Sequence, residues 1–300
     1  MQQFGPLKVI PGEKKSHFPY CTSLLLESNG KQAIIDPGAG NFLKNFSIQE
    51  IYLTHYHYDH VWGINLFQNS TPVFINKEDL PALQSLVEFA KRLGVEKHFG
   101  QDYVNWWALE IKRGGFKSPS LSPYNRPDIV AIIQKPKEAY SSAEKIKIRG
   151  VTTIFLKAPG HSTGYVFPYF PDLGVIYTGD YDLTSFGPFY MTPDGNIDLF
   201  IKSSQILREV DAKYFITGHE EGVVERKYFL AKLETFLEII SIREEKIKTL
   251  FQKGYSLEGI ADHSIFYPLK YQKIDPWVRM WEITGIKMHL KRLGLMPKAS

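Results

Sequence analysis

The 300-residue chain has one cysteine, Cys21. That excludes an intramolecular disulfide and suits a protein kept in a reducing compartment. Cys21 stands outside every motif described below and is expected to be a small buried apolar side chain. No apolar run is long enough to span a membrane, and Lys8, Lys14 and Lys15 are not followed by the continuous apolar segment of a secretion signal. A cytoplasmic protein with no membrane association is therefore expected. Net charge is only +4 and no block of basic residues occurs, so strong attraction to polyanions is not built in and nucleic acid is a disfavoured partner. Repeats and low-complexity tracts are lacking too. With 43% hydrophobic and 23% charged residues, the chain has the composition of a folded globular protein.

What the chain has is a concentration of histidine. His55-Tyr56-His57-Tyr58-Asp59-His60 puts three imidazoles and a carboxylate into one short turn, directly after the strand-like run Ile51-Tyr52-Leu53-Thr54. Neutral imidazole nitrogen and carboxylate oxygen are the donors that borderline divalent metals prefer, and a turn lets neighbouring side chains converge where a strand would alternate them. The same donor types recur at three later strand ends. Thr153-Ile154-Phe155-Leu156 runs into Pro159-Gly160-His161-Ser162, Val175-Ile176-Tyr177-Thr178 into Gly179-Asp180, and Tyr214-Phe215-Ile216-Thr217 into Gly218-His219. In each, a glycine permits the tight turn or close backbone approach that a crowded site needs. Any one of these is commonly just a turn; together with the opening cluster they make a coherent ligand set.

In this order and at these strand ends, the motifs resemble those of the metallo-β-lactamase superfamily. Ala33-Ile34-Ile35-Asp36-Pro37-Gly38 is similar to the family's early strand ending in Asp-x-Gly beneath the metals. The resemblance covers about residues 18–75 and 145–225. It implies an α/β fold, an αββα sandwich; residues of about 77–140 depart from that plan as an insertion and the chain ends in a C-terminal extension, both read as helical from the spacing of their apolar residues. The corresponding division is a catalytic domain over 1–225 and an extension over 226–300.

Matched position by position, the resemblance implies that His55, His57 and His161 hold one metal, that Asp59, His60 and His219 hold a second, and that Asp180 bridges them. Two divalent ions are implied, zinc first, with iron or manganese as alternatives, and a bridging hydroxide as nucleophile. Asp59 has a further role as proton shuttle, because a carboxylate there touches the space a leaving group crosses. Asp36 is read as orienting an imidazole from behind, or as forming a turn. His17, His98, His263 and His289 lie outside the motifs.

His57 stands where the flavodiiron branch carries an acidic residue, which argues for hydrolysis over oxygen reduction. The overall pattern is most similar to glyoxalase II-like hydrolases, although a basic cluster for glutathione is not evident. The function expected is hydrolysis of a small ester, thioester or lactone. The alternatives are a metal-dependent nuclease on single-stranded nucleic acid and a mononuclear iron persulfide dioxygenase.

Elsewhere, Asn29-Gly30 between Leu24-Leu25-Leu26 and Ala33-Ile34-Ile35 signals a hairpin. Val61 to Phe67 is expected to begin a helix. Leu80, Leu83, Leu86, Val87, Ala90 and Leu93 recur at helical spacing, predicting one amphipathic helix that ends near Gly94. Further on, Trp106 and Trp107 are read as the apolar wall of a substrate pocket or lid, with a packing or dimer-contact element as the alternative for this insertion, ahead of the Pro- and Ser-rich stretch Ser118 to Pro123. Leu230, Leu233, Leu237, Ile240, Ile247 and Leu250 predict one long helix or two in succession, stopping at Lys253-Gly254, followed by one capped by Ser256 and a last one from Trp277 to Leu293. Glu mixed among the basic residues of this tail favours a packed appendage over a DNA reader; the tail also resembles the helical extension of the hydrolase branch that includes an endoribonuclease. A homodimer is compatible with the sequence.

Overall fold

The computed structural model describes residues 2–117, 119 and 122–296; Ser118, Ser120 and Leu121 of the Pro- and Ser-rich stretch lie outside them. The first sheet is formed by β1 (Gln3–Phe4), β2 (Leu7–Ile10), β3 (Ser23–Ser28), β4 (Lys31–Ile35), β5 (Ile48–Leu53), β6 (Val73–Asn76) and β7 (Lys137–Tyr140), in that spatial order. It is antiparallel as far as β4 and parallel from there to β7. The second sheet contains β8 (Lys145–Ile148), β9 (Val151–Lys157), β10 (Val166–Phe170), β11 (Val175–Gly179), β12 (Tyr214–Thr217) and β13 (Val223–Glu225), with one parallel pair, β11 and β12.

Period-two patterning explains why the sheets stack. Leu24, Leu26, Ala33 and Ile35 point inward and meet Phe155, Val166, Val175, Tyr177 and Ile216 of the other sheet, while the alternate residues Leu25 and Ile34 face a second core beneath helices. Phe167, Ile176 and Phe215 face a third core, completed by Phe200 and Leu207 of the helix Ile197–Glu209 and by Phe229, Leu233 and Phe236 of the helix Arg226–Gln252. Two sheets with helices on both outer faces make an αββα sandwich. Asn29 and Gly30 close the β3–β4 hairpin with positive φ, as the Asn-Gly pair predicts.

The insertion and the tail pack as one layer over the first sheet. The helices Leu86–Arg92, Gln101–Lys112 and Pro276–Arg292 share a core in which Trp107 stacks against Trp277, ring centroids 4.8 Å apart. The tail helices follow the predicted positions, and Ser256 caps its helix through the Gly259 amide.

Two local expectations need correction. The Leu80 to Leu93 pattern is two pieces, a 3₁₀ turn at Leu80–Leu83 and a helix from Leu86. The break lies at Ser85, whose Oγ accepts from the Glu88 amide at 3.0 Å, so Ser85-x-x-Glu88 is a helix start inside the apolar stripe. Val61 to Phe67 is mostly the 3₁₀ turn Trp62–Leu66, preceded by the one-turn helix Tyr58–Val61.

Candidate metal centre

All seven motif residues converge at the strand ends on one edge of the sandwich. His55, His57, His161 and Asp180 form one group, and Asp59, His60, Asp180 and His219 another; within each group the donor atoms lie within 4.8 Å of one another. The turns deliver them. Gly179 has φ +51° and a Cβ there would lie 2.3 Å from the Tyr165 hydroxyl; a Cβ on Gly218 would lie 2.9 Å from the Gly179 carbonyl oxygen. Only glycine lets the β11 and β12 turns pack against each other and aim Asp180 and His219 at the same point.

Asp180 is shared between the groups. Its Oδ2 lies 2.9 Å from His161 Nε2 and 3.8 Å from His55 Nε2, and its Oδ1 lies 2.8 Å from His60 Nε2 and 3.8 Å from His219 Nε2. Asp59 Oδ2 sits 3.2 Å from His219 Nε2 and 3.6 Å from His60 Nε2.

The imidazoles are oriented from behind. Asp36, fully buried, accepts the Thr54 amide and hydroxyl and the His60 Nδ1 proton, the last at 2.7 Å. Because the Thr54 hydroxyl already donates to Asp36, its oxygen is left to accept from His55 Nδ1, 3.0 Å away. His161 Nδ1 faces the Phe189 carbonyl at 2.9 Å and His219 Nδ1 the Ser16 carbonyl at 2.6 Å. With Nδ1 anchored in these four rings, each turns its Nε2 into the site as the atom available to a cation. Asp36 thus orients His60, and its φ of +51° shows that it forms the turn as well.

These residues fit divalent cations. His55 Nε2 and His161 Nε2 are only 3.2 Å apart, a repulsive contact for two lone pairs unless positive charge lies beside them. His57 Nε2, His60 Nε2 and Asp180 Oδ1 are buried without hydrogen-bond partners; the 2.8 Å approach of the last two lacks hydrogen-bond geometry.

The electrostatics agree. Burial, with His60 nearby, pushes His55 well below its ordinary value, and burial beside His161 pulls His57 down to about 3, so both stay neutral donors. Burial acts against Asp180 and Asp59 too, but the neighbouring imidazoles outweigh it and keep both ionised. His60 is driven well up and His219 up to about 9, burial being overcome by the surrounding acidic groups and, for His219, by its bond to Asp59. The acidic surroundings that favour a proton on His60 and His219 when no cation is bound equally favour a divalent cation in the proton's place.

The site opens into a cavity of about 550 Å³. His57, Asp59, His161, Asp180 and His219 form its floor, and Phe186, Phe189, Tyr267, Tyr271, Val278 and Trp281 form an apolar side.

Trp106 and Trp107, expected to be its wall, are elsewhere. Trp107 is fully buried and donates its indole proton to the Tyr124 carbonyl, whereas Trp106 is 44% exposed. Adjacent residues on a helix point apart, so the pair could not share one face. The insertion reaches the cavity through Leu93 and Pro123 instead.

Of the remaining histidines, His17 is at the rim, paired with Glu220 at 3.0 Å, and His289 is buried between Tyr190 and Glu244. His98 and His263 make edge contacts with Phe99 and Tyr255. Cys21 is buried, as expected, with its thiol pushed up to about 11 by burial.

Sequence reading also passed over a pattern. Gly160-His161-Ser162-Thr163-Gly164 has the G-x-S-x-G spacing of a serine-nucleophile elbow. It joins two antiparallel strands, β9 and β10, where an elbow would lead into a helix, and the buried Ser162 hydroxyl donates to Asp79 at 2.6 Å. Ser162 is a brace for the His161 turn.

Comparison with curated proteins found no match. Solved structures of similar fold include a metallo-beta-lactamase family protein from Thermus thermophilus, with 17% identity and a TM-score of 0.66 over 98% of this chain and 96% of the other. A beta-lactamase domain protein from Burkholderia ambifaria has 17% identity and a TM-score of 0.63 over 98% of this chain and 88% of its own. The BLEG-1 B3 metallo-beta-lactamase, at 19% identity and a TM-score of 0.50, aligns with 75% of this chain and 96% of its own. At such identities the likeness concerns the fold. The model of the metallo-beta-lactamase superfamily, in contrast, matches residues 18–219, the stretch that contains every residue of both donor groups, and the chain belongs to that superfamily.

Proposed function

We propose that the protein is a dinuclear metal-dependent hydrolase of a small ester, thioester or lactone. The observation that carries this reading is the placement of Asp180, which offers one carboxylate oxygen to His55 and His161 and the other to His60 and His219. His55, His57 and His161 would hold one ion, Asp59, His60 and His219 the other, and Asp180 both. Nitrogen and carboxylate donors favour zinc, with iron or manganese accepted by the same set. Ions bound there would supply an activated water near neutral pH and polarise the scissile bond.

The chain's own groups do the rest. Asp36, Thr54, and the Ser16 and Phe189 carbonyls fix the ring orientations, so little reorganisation is needed during the reaction. Asp59 lines the cavity floor beside His219 and is the group positioned to pass a proton to a leaving group. The aromatic side excludes water from the reacting atoms.

We further assign residues 1–225 to the catalytic domain and 226–300 to an extension sharing its cores, and place the protein in the cytoplasm, acting on a small molecule. Metal analysis after reconstitution, with thioester, lactone, phosphodiester and persulfide substrates assayed in parallel, tests the proposal. About two ions per chain with ester, thioester or lactone turnover are expected. One ion at saturation with persulfide oxidation would replace it with the dioxygenase reading.

A further inference from the structure

We propose that the cavity selects uncharged substrates with an extended apolar group, and that the C-terminal helices form the selecting wall. The inference rests on the hydrolase reading and names its substrate class.

The apolar surface begins at the donor groups themselves. The Phe189 ring meets His57 edge-on at 5.5 Å between centroids and His161 tilted at 5.6 Å, and the same ring meets Trp281 edge-on at 5.6 Å. For a substrate whose scissile carbonyl sits over the imidazoles, Phe189 and Trp281 offer the adjoining apolar surface, in a cavity that Tyr267, Tyr271 and Val278 also line. The wall is rigid. Trp281 Nε1 donates to the Leu93 carbonyl at 3.0 Å, so its polar edge is already satisfied. Buried Arg243 donates to the Phe186 and Pro188 carbonyls. Glu282 accepts the Tyr267 amide at 2.8 Å. The aromatic side of a cavity that totals about 550 Å³ with its polar floor included accommodates an aromatic ring or a medium alkyl chain.

Charge completes the selection. Among the described residues that line the cavity there is no Lys or Arg; its ionisable groups are the donor-group residues with Asp182, Glu220, Tyr side chains and His17, the last already paired with Glu220. Arg126 lies over the Tyr58 ring, 5.3 Å from its centroid, and is not a lining residue. A carboxylate or phosphate at the far end of the substrate's side group, away from the donor groups, would be desolvated with no Lys or Arg among the described lining residues and with Asp182 nearby.

The test is direct binding of neutral amides to the metal-loaded protein by calorimetry, with p-nitrophenyl octanoate turnover measured on the same preparation. Octanamide is expected to bind at least thirtyfold tighter than butanamide, given up to about fourfold per buried methylene, and at least tenfold tighter than its ω-carboxylate analogue suberamate. Trp281→Ala should weaken octanamide about tenfold and leave acetamide unchanged; the wild-type series decides the matter even if that variant does not fold. Equal affinities across the series, or tighter suberamate binding, overturn the selectivity, and turnover then tells whether the hydrolase reading survives. A graded series with no turnover of any ester, thioester or lactone overturns the hydrolase reading and the substrate role with it.

Discussion

On the cavity floor, seven imidazole and carboxylate side chains converge from four strand-end turns, and four of the imidazoles, His55, His60, His161 and His219, are held by hydrogen bonds to the Thr54 hydroxyl, the Asp36 carboxylate and backbone carbonyls. On its side, aromatic residues from the Asp182 to Tyr190 loop and the C-terminal helices are held by packing and by two buried charged side chains, Arg243 and Glu282. The floor is specified by donor type and direction, and an error of an ångström ruins it. The side is specified by volume, and tolerates exchange among apolar residues of similar size. Substitutions on the floor should therefore change rate and metal affinity, and those in the helical layer should change stability or substrate range.

The largest expected effect comes from Trp107→Ala in the helical layer, which should lose about 3–5 kcal/mol of stability with kcat/KM unchanged in the folded fraction. Denaturant titration and kinetics on one preparation check this; a raised KM at wild-type stability would return Trp107 to the substrate wall. Asp180→Ala on the floor should do the reverse, lowering kcat by about a hundredfold or more while circular dichroism and the melting of the metal-free protein stay near wild type. Full activity with two ions bound would remove Asp180 from the bridging role. Asp36→Asn should weaken metal binding about ten- to a hundredfold in chelator competition. The amide must present an NH₂ group to partners that are all donors, the Thr54 amide and hydroxyl and His60 Nδ1. The smallest effect concerns His289, which burial holds down to about 4 despite Glu244. Between pH 6.5 and about 4 the unfolded chain takes up a proton that the fold refuses, so stability is complete above that window and falls through it. His289→Gln should flatten this stretch of the melting-temperature profile; an unchanged slope would place the acid sensitivity elsewhere.

The floor was legible in the sequence because its information is local. His55, His57, Asp59 and His60 occupy one turn, and His161, Asp180 and His219 each follow a glycine at the end of a β-rich run. The wall was not, because its members come from the loop after Asp180 and from residues 267–281 and meet only when the tail folds back. A signal was present: Phe186 and Phe189 lie between two ligand segments, and Val278 and Trp281 share a helix face at i, i+3 spacing. The expectation for Trp106 and Trp107 went wrong because aromatic content was weighed without helix phase. The Leu80 to Leu93 stripe misled for a related reason, since periodicity continues across a break that only Ser85-x-x-Glu88 reveals.

Both donor groups take ligands from each sheet: His55, His57, Asp59 and His60 follow β5, whereas His161, Asp180 and His219 follow β9, β11 and β12. An ion seated in either group is therefore a cross-link between halves of the molecule that are distant in the chain. It binds only where folding has already brought the sheets together, so its binding free energy adds to global stability by mass action. Opening the sandwich must then break metal-ligand bonds as well as the core, making the unfolding rate a function of free metal concentration.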